Sequence, residues 1–187
     1  MRLFVAVDLS AEAIDEAIRV AADIRKRRAG LAVRWVPPAN MHLTVRFIGY
    51  VRENADALVA AVTAPAPLQP FDVTLGPCGA FPPRGAVRVI WIGLAAGAVE
   101  LGRLSTIMDE RVRPFGFEAE ARPFSPHLTL ARTARDERLP RDLRDTLAHV
   151  NVRAVTTRVT RAVLYRSHLS PQGPRYEPLA PIPLAGC

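Results

Sequence analysis

The sequence predicts one β-α-β unit used twice, folded as two lobes about a pseudo-twofold axis with a cleft between them. Three observations carry this. The tripeptide His-Leu-Thr occurs at His42-Leu43-Thr44 and again at His127-Leu128-Thr129, in a chain with only four histidines. An offset of 85 residues lays the second half on the first, so that Val89-Ile90-Trp91-Ile92-Gly93-Leu94 falls on Phe4-Val5-Ala6-Val7-Asp8-Leu9. After each of these apolar runs come residues at helical spacing, a proline-marked break and the His-x-Thr segment.

In the first unit, residues 2–49, the run Phe4 to Leu9 reads as a strand. Ser10 is a helix N-cap, because its hydroxyl can accept from a free N–H of the first turn. Ile14, Ile18, Ala21 and Ile24 recur on one helical face as far as Arg28. Val36-Pro37-Pro38 ends that region in extended backbone. Side chains alternate across a strand, so His42 and Thr44 share one face and Leu43 and Val45 take the other. Arg46 has the parity of His42 and Thr44, and points into the cleft if the strand is regular. Ala64-Pro65-Ala66-Pro67-Leu68-Gln69-Pro70 is a loop crossing between lobes, and Phe71 to Leu75 is a further strand.

In the second unit, residues 87–132, the helical stripe is Leu101, Leu104, Met108 and Val112. Arg122-Pro123-Phe124-Ser125-Pro126 forms the break. His127 and Thr129 then face away from Leu128 and Leu130. Arg132 falls on the leucine side by strict alternation, so it reaches the cleft only through its length, the strand end or a bulge. His149 is placed near a helix C-terminus, where an imidazole suits the dipole. His168 is read as a solvated histidine in a loop that follows a strand.

At 187 residues with no linker or low-complexity segment, residues 1–187 are expected to form one domain. No apolar run is long enough to span a bilayer and no signal-peptide pattern opens the chain, so a cytoplasmic protein is expected. Cys78 and Cys187 give neither a disulfide framework nor metal-ligand spacing. The net charge is +7, and Lys26 is the single lysine among 25 basic residues. A positive field of this kind attracts polyanions and moves nucleic acid up the list of ligands.

Two imidazoles facing each other suit general acid-base catalysis near neutral pH. Displacement at phosphorus needs such a pair: one ring takes a proton from the attacking water and the other donates to the departing oxygen. Thr44 and Thr129 are placed to hold non-bridging oxygens as charge develops. Neither strand supplies an adjacent carboxylate or thiol, and two imidazoles alone make a poor first shell for a metal ion.

The tandem motifs His42-Leu43-Thr44-Val45 and His127-Leu128-Thr129-Leu130 resemble the two-histidine phosphoesterase superfamily. The stretches Arg2 to Leu9, Asn40 to Gly49, Arg122 to Arg132 and Arg175 to Leu179 are similar to its bacterial and archaeal RNA 2′,3′-cyclic phosphodiesterases, long called 2′-5′ RNA ligases. The resemblance implies a bilobal α+β fold with antiparallel sheets lining the cleft and helices outside. It also implies hydrolysis of a terminal 2′,3′-cyclic phosphate to a 2′-phosphate, without metal or other cofactor. His42 would be the proton donor and His127 the proton acceptor, with Thr44, Thr129 and Arg132 on the phosphate. The expected partner is RNA ending in the cyclic phosphate, with Arg46 and Arg166 as candidate contacts along its chain. A monomer with no membrane and no obligate protein partner is expected. Nucleotide-independent 2′-5′ ligation, and RNA binding by a relic cleft, are the alternatives.

Overall fold

The computed structural model describes residues 1–52, 55–118, 120, 122–133, 139–140, 142–171 and 173–185. Cys187 lies outside the described residues. Strands and helices run in the order β1 (Arg2–Val7), α1 (Ala11–Arg27), β2 (Val33–Trp35), β3 (Leu43–Tyr50), α2 (Asp56–Thr63) and β4 (Phe71–Phe81). They continue with β5 (Val89–Ala96), α3 (Ala98–Val112), β6 (Leu128–Thr133), α4 (Leu143–Ala148), β7 (Thr156–Val159), β8 (Arg161–His168) and β9 (Arg175–Pro183). No helix among the described residues is long and apolar enough to cross a membrane.

The fold is α+β. Its strands form one sheet in the order β7-β4-β5-β6-β3-β1-β8-β9, with β2 added along β6. All pairings between the named strands are antiparallel. The two expected sheets are therefore one, joined at β3 and β6. That join is slender: Leu43 opposite Leu128 is the pair that links the two strands. Both leucines are fully buried. The seam thus sits immediately after both motif histidines, and the strands part beyond it.

The helices cover the leucine face of the sheet. α3 buries Leu101, Leu104, Met108 and Val112, the predicted stripe. In α1 the Ser10 hydroxyl caps the helix by accepting from the Ala13 N–H at 3.3 Å. Its buried face, however, is Ala13, Ala17, Val20, Ala21 and Ile24, while Ile18 is 40% exposed. Small residues four apart let this helix lie close to its neighbours, and that turns the bulkier Ile18 outward. The expected crossing loop, residues 64–70, is pinned to the end of β9: the Ala66 N–H donates to the Pro183 carbonyl at 2.8 Å. Burial pushes the Cys78 thiol up to about 12, which leaves it protonated and unreactive at neutral pH.

One charged group lies inside α1. Glu16 is fully buried and is met by the Arg19 guanidinium at 2.6 Å, the Arg153 Nε at 2.5 Å and the Arg153 backbone N–H at 2.8 Å. These contacts fasten α1 to the segment that leads into β7. They hold the carboxyl well below the usual range, at about 2, with the Arg19 bond the largest cause.

A folded-state pKa of about 2 against 4.5 means stability that is fully present above pH 4.5 and lost as the pH falls toward 2. Glu16→Gln leaves two guanidinium groups short of their anion, and is expected to cost ~3 kcal/mol at pH 7. In denaturant titrations the gap between wild type and variant should close as the pH is lowered through that window. A gap independent of pH would show that the carboxylate's charge is not what holds the segment.

Candidate active site

The site forms where β3 and β6 meet. Leu43 and Val45 of one strand, and Leu128 and Leu130 of the other, are buried beneath the helices, while His42, Thr44, His127 and Thr129 stand half-buried on the opposite face. The antiparallel pairing of Leu43 with Leu128 sets His42 diagonally from His127 across the seam.

Both imidazoles are held alike. His42 Nδ1 lies 2.9 Å from the Asn40 carbonyl oxygen, and His127 Nδ1 lies 2.7 Å from that of Ser125. A carbonyl only accepts, so Nδ1 carries the proton on each ring and Nε2 is the nitrogen left to exchange one. His42 Nε2 is 3.0 Å from Thr44 Oγ1. With the ring neutral, the threonine hydroxyl donates to it.

Aromatic rings wall the two histidines. Phe4 lies 5.1 Å from His42 and Tyr176 meets it edge-on at 5.3 Å, while Phe81 stands edge-on to His127 at 4.9 Å. Trp91 completes the wall beside His127, and fits because Gly79 is opposite: a Cβ there would come within 2.2 Å of the indole. Tyr165 stacks on Phe4 and donates its hydroxyl to Asp8 at 2.6 Å; burial and that bond push its own pKa up.

Desolvation by these walls pushes His42 down to about 4, against weaker opposing effects from the Asn40 carbonyl and the Asp8 charge. His127 is lowered as well, again chiefly by burial, with the Arg132 charge acting in the same direction. Each histidine feels the Arg132 charge, and His42 also feels His127, which places all three in one electrostatic neighbourhood.

Two bulges decide the rest of the lining. In β6, Trp91 pairs with Thr129 but Ile90 pairs with Ala131, so Leu130 is an extra residue and the alternation shifts by one. Leu130 and Ala131 are both buried, and Arg132 comes round to the cleft face, where its Nη2 donates to Thr129 Oγ1 at 3.4 Å. In β3, Ala6 pairs with Thr44 but Val5 with Arg46, so Val45 is the extra residue. The same shift turns Arg46 away from the cleft. Arg46 is only 5% exposed, with its Nε 2.5 Å from Asp109 Oδ1 of α3 and an Nη1 contact to Glu120 at 3.4 Å. The Asp109 contact lies off the N–H axis, so it is an ion pair and not a hydrogen bond.

The expectation for Arg46 assumed a regular strand, and the bulge overturns it. Phe47 takes the cleft position instead, 45% exposed and 5.9 Å from Phe4. Arg166 does not share the cleft face either. Register sets it opposite Leu3 and Glu177, while its neighbours Tyr165 and Ser167, opposite Phe4 and Arg2, take the cleft face. It is exposed on the far side of the sheet. His168 is not a loop residue but the end of β8, bonded to Glu177 at 2.6 Å. His149 caps α4 at its C-terminus, as its sequence context suggests.

A groove of about 420 Å³ opens beside His42 between Phe4, Phe47, Tyr176 and Arg132. That is within the range of roughly 300–1,000 Å³ common for small-molecule sites. Phe47 was missed in the sequence although the 85-residue offset maps it onto Arg132. Among the described residues, no group of three or more His, Cys, Asp or Glu side chains is placed to hold a metal ion.

A model of the 2′-5′ RNA ligase superfamily matches residues 11–171. A protein of Archaeoglobus fulgidus named RNA 2′,3′-cyclic phosphodiesterase is 34% identical over 181 residues, covering 96% of this chain and 98% of its own. The crystal structure of TT0787 of Thermus thermophilus superposes with a TM-score of 0.81 at 28% identity, covering 100% of this chain and 99% of the other. Escherichia coli LigT in complex with 3′-AMP gives 0.76 at 28% identity, with 98% of each chain covered.

Both rings should be neutral at pH 7 in the empty cleft. NMR titration of the imidazole signals should place His42 near 4 and His127 below the ordinary 6.5. A His42 that titrates at or above 6.5 would contradict the desolvation described here.

Proposed function

Because the chain belongs to the 2′-5′ RNA ligase superfamily, we propose that it hydrolyses terminal RNA 2′,3′-cyclic phosphates to 2′-phosphates. The observation that carries this is the matched locking of two imidazoles, each through Nδ1 to the carbonyl two residues before it. Nε2 is thereby the nitrogen each ring has left to exchange a proton, and on His42 it lies 3.0 Å from the Thr44 hydroxyl. Relatives in Archaeoglobus fulgidus and elsewhere carry the name of this hydrolytic reaction, which sets it ahead of ligation. Both motif histidines are present, which argues against a relic cleft that only binds RNA.

In the proposed reaction His127 Nε2 accepts a proton from water as the oxygen attacks phosphorus. The P–O bond to the 3′ oxygen breaks, and His42 Nε2 delivers a proton to that oxygen. A 3′ hydroxyl and a 2′-phosphate result. Thr44, Thr129 and Arg132 hold the non-bridging oxygens as negative charge concentrates on them. Residues 1–187 act in this reading as one domain, as a cytoplasmic monomer, with no metal in the chemistry.

The lowered pKa of His42 sets a condition on its role. An imidazole held near 4 is neutral at pH 7, so His42 donates only after taking up a proton as the substrate's anion enters the cleft. The phosphate charge favours the imidazolium, and Asp8 acts in the same direction.

His42→Ala and His127→Ala are each expected to lower kcat by about 10²-fold or more. The double variant should cost much less than the product of the two, since acid and base act as a unit. Arg132→Ala should slow turnover and weaken binding, and excess chelator should leave the wild type unchanged. The assay is RNA bearing a 2′,3′-cyclic end, with the product phosphate position identified. Near-wild-type turnover in either histidine variant removes that residue from the chemistry.

The pH dependence follows from the same shifts. The profile of kcat/KM reports free-enzyme groups, so its bell should lie on the acid side of the ordinary imidazole value of about 6.5. The kcat bell should be displaced to higher pH, because bound substrate raises both rings. Coincident profiles would mean that substrate charge does not set the protonation state.

A further inference from the structure

The arginines that brace this fold have partners. Arg46 has Asp109 and Glu120, Arg19 and Arg153 share Glu16, and Arg28 meets Asp142. Arg111 donates to the Val62 and Ala64 carbonyls. Arg34 is different. It sits in the middle of the three-residue strand β2, and register places it directly opposite Arg132 of β6.

Its direction is fixed by its neighbour. Trp35 turns toward α1, where the Arg25 guanidinium lies 4.5 Å over the indole. Alternation then puts Arg34 on the other face, the one to which the β6 bulge brings Arg132. Arg34 is exposed and has no hydrogen bond or ion pair among the described residues. Like charges directly opposite on paired strands disfavour the pairing. A fold that keeps two unneutralised guanidinium groups in that arrangement has a use for a concentrated positive charge there.

The surface around the pair is shaped for an extended ligand. Arg132 and Pro174 line the groove beside Phe4 and Phe47, and they also line a second groove with Leu31, Val33 and Arg34. The two grooves meet at Arg132. The Pro174 wall between them is itself fixed, since the Asn40 side-chain amide donates to the Pro174 carbonyl at 2.8 Å.

We propose that Arg34, opposite Arg132, is a second phosphate site that takes the phosphodiester next to the reacting phosphate. The substrate it selects is an oligonucleotide and not a cyclic mononucleotide. This rests on the hydrolytic reading of the site, because Arg132 then holds the reacting phosphate and the next anion along the chain meets Arg34. A guanidinium can bind a phosphate through two parallel N–H donors, which an ammonium cannot reproduce.

The test compares wild type, Arg34→Ala and Arg34→Lys on a 2′,3′-cyclic mononucleotide and on an oligonucleotide with the same cyclic end. Salt is varied from about 50 to about 200 mM, the range over which phosphate contacts weaken strongly. Arg34→Ala should raise the KM for the oligonucleotide by roughly tenfold with kcat little changed, a loss typical of one charge-assisted contact. Its salt slope should be shallower by about 0.7, the value for one phosphate on a single strand. Mononucleotide turnover should change less than about twofold, and Arg34→Lys should recover only part of the oligonucleotide loss. Melting temperature should be unchanged or raised, since a repulsion is removed.

An equal loss on both substrates, or no loss on either, overturns the proposal. Wild type inactive on both substrates refutes the hydrolytic reading itself. Anisotropy of the labelled oligonucleotide then still decides whether Arg34 adds a salt-dependent contact: equal affinity and slope in Arg34→Ala would refute that too.

Discussion

The composition of the cleft depends on a single extra residue placed identically in two strands. Val45 in β3 and Leu130 in β6 are each left over in the pairing with the neighbouring strand, 85 residues apart. Up to that residue the strand alternates, which gives His and Thr to the cleft and Leu to the core. Beyond it the faces exchange. Two successive residues are buried in each strand, and the next points into the cleft. Without the bulges Arg46 would stand in the cleft, and Arg132 would fall on the leucine side against the helices.

The same constraint links the site to the core. Once turned inward, Arg46 is met by the Asp109 carboxylate from the last turn of α3 and by backbone carbonyls, so the shift in β3 is fixed by an ion pair under the sheet. On the cleft side, among the described residues, neither motif imidazole is bonded to a carboxylate. Their Nδ1 atoms donate to carbonyls and their faces meet apolar rings, which orients each ring without charging it. A carboxylate in the same place would stabilise the imidazolium and pull the pKa upward. Carbonyl locking leaves the proton free to follow the ligand's charge.

Much of this is legible in the sequence, and the failures have a common cause. The duplicated unit, the α3 stripe, the Ser10 cap and the assignment of His42, Thr44, His127 and Thr129 to one face all depend on local periodicity over few residues. Arg46 and Ile18 were placed by extending a period beyond the point where tertiary structure resets it. A bulge moved the first, and close packing through alanines rotated the second outward. Glu16 carries no sequence signal of burial, because its partners include Arg153, remote in the chain. The Asn40 and Ser125 carbonyls are invisible for a different reason, since any residue supplies one.

The duplication would by itself give a site indifferent to which way a ligand lies. His42 and His127, Thr44 and Thr129, and the two carbonyl locks are interchangeable in type. Direction comes from the position after each bulge, where Phe47 stands on the first strand and Arg132 on the second. An anion is drawn toward Thr129 and Arg132, and an apolar or aromatic group toward Phe47, Phe4 and Tyr176. His42 lies against Phe4 and Tyr176 of that groove, and burial there lowers its pKa. A ligand with a charged phosphate at one end and a flat base at the other can then enter in only one sense. In the proposed reaction this one-residue difference between otherwise equivalent strands gives the two histidines different partners, and so different roles.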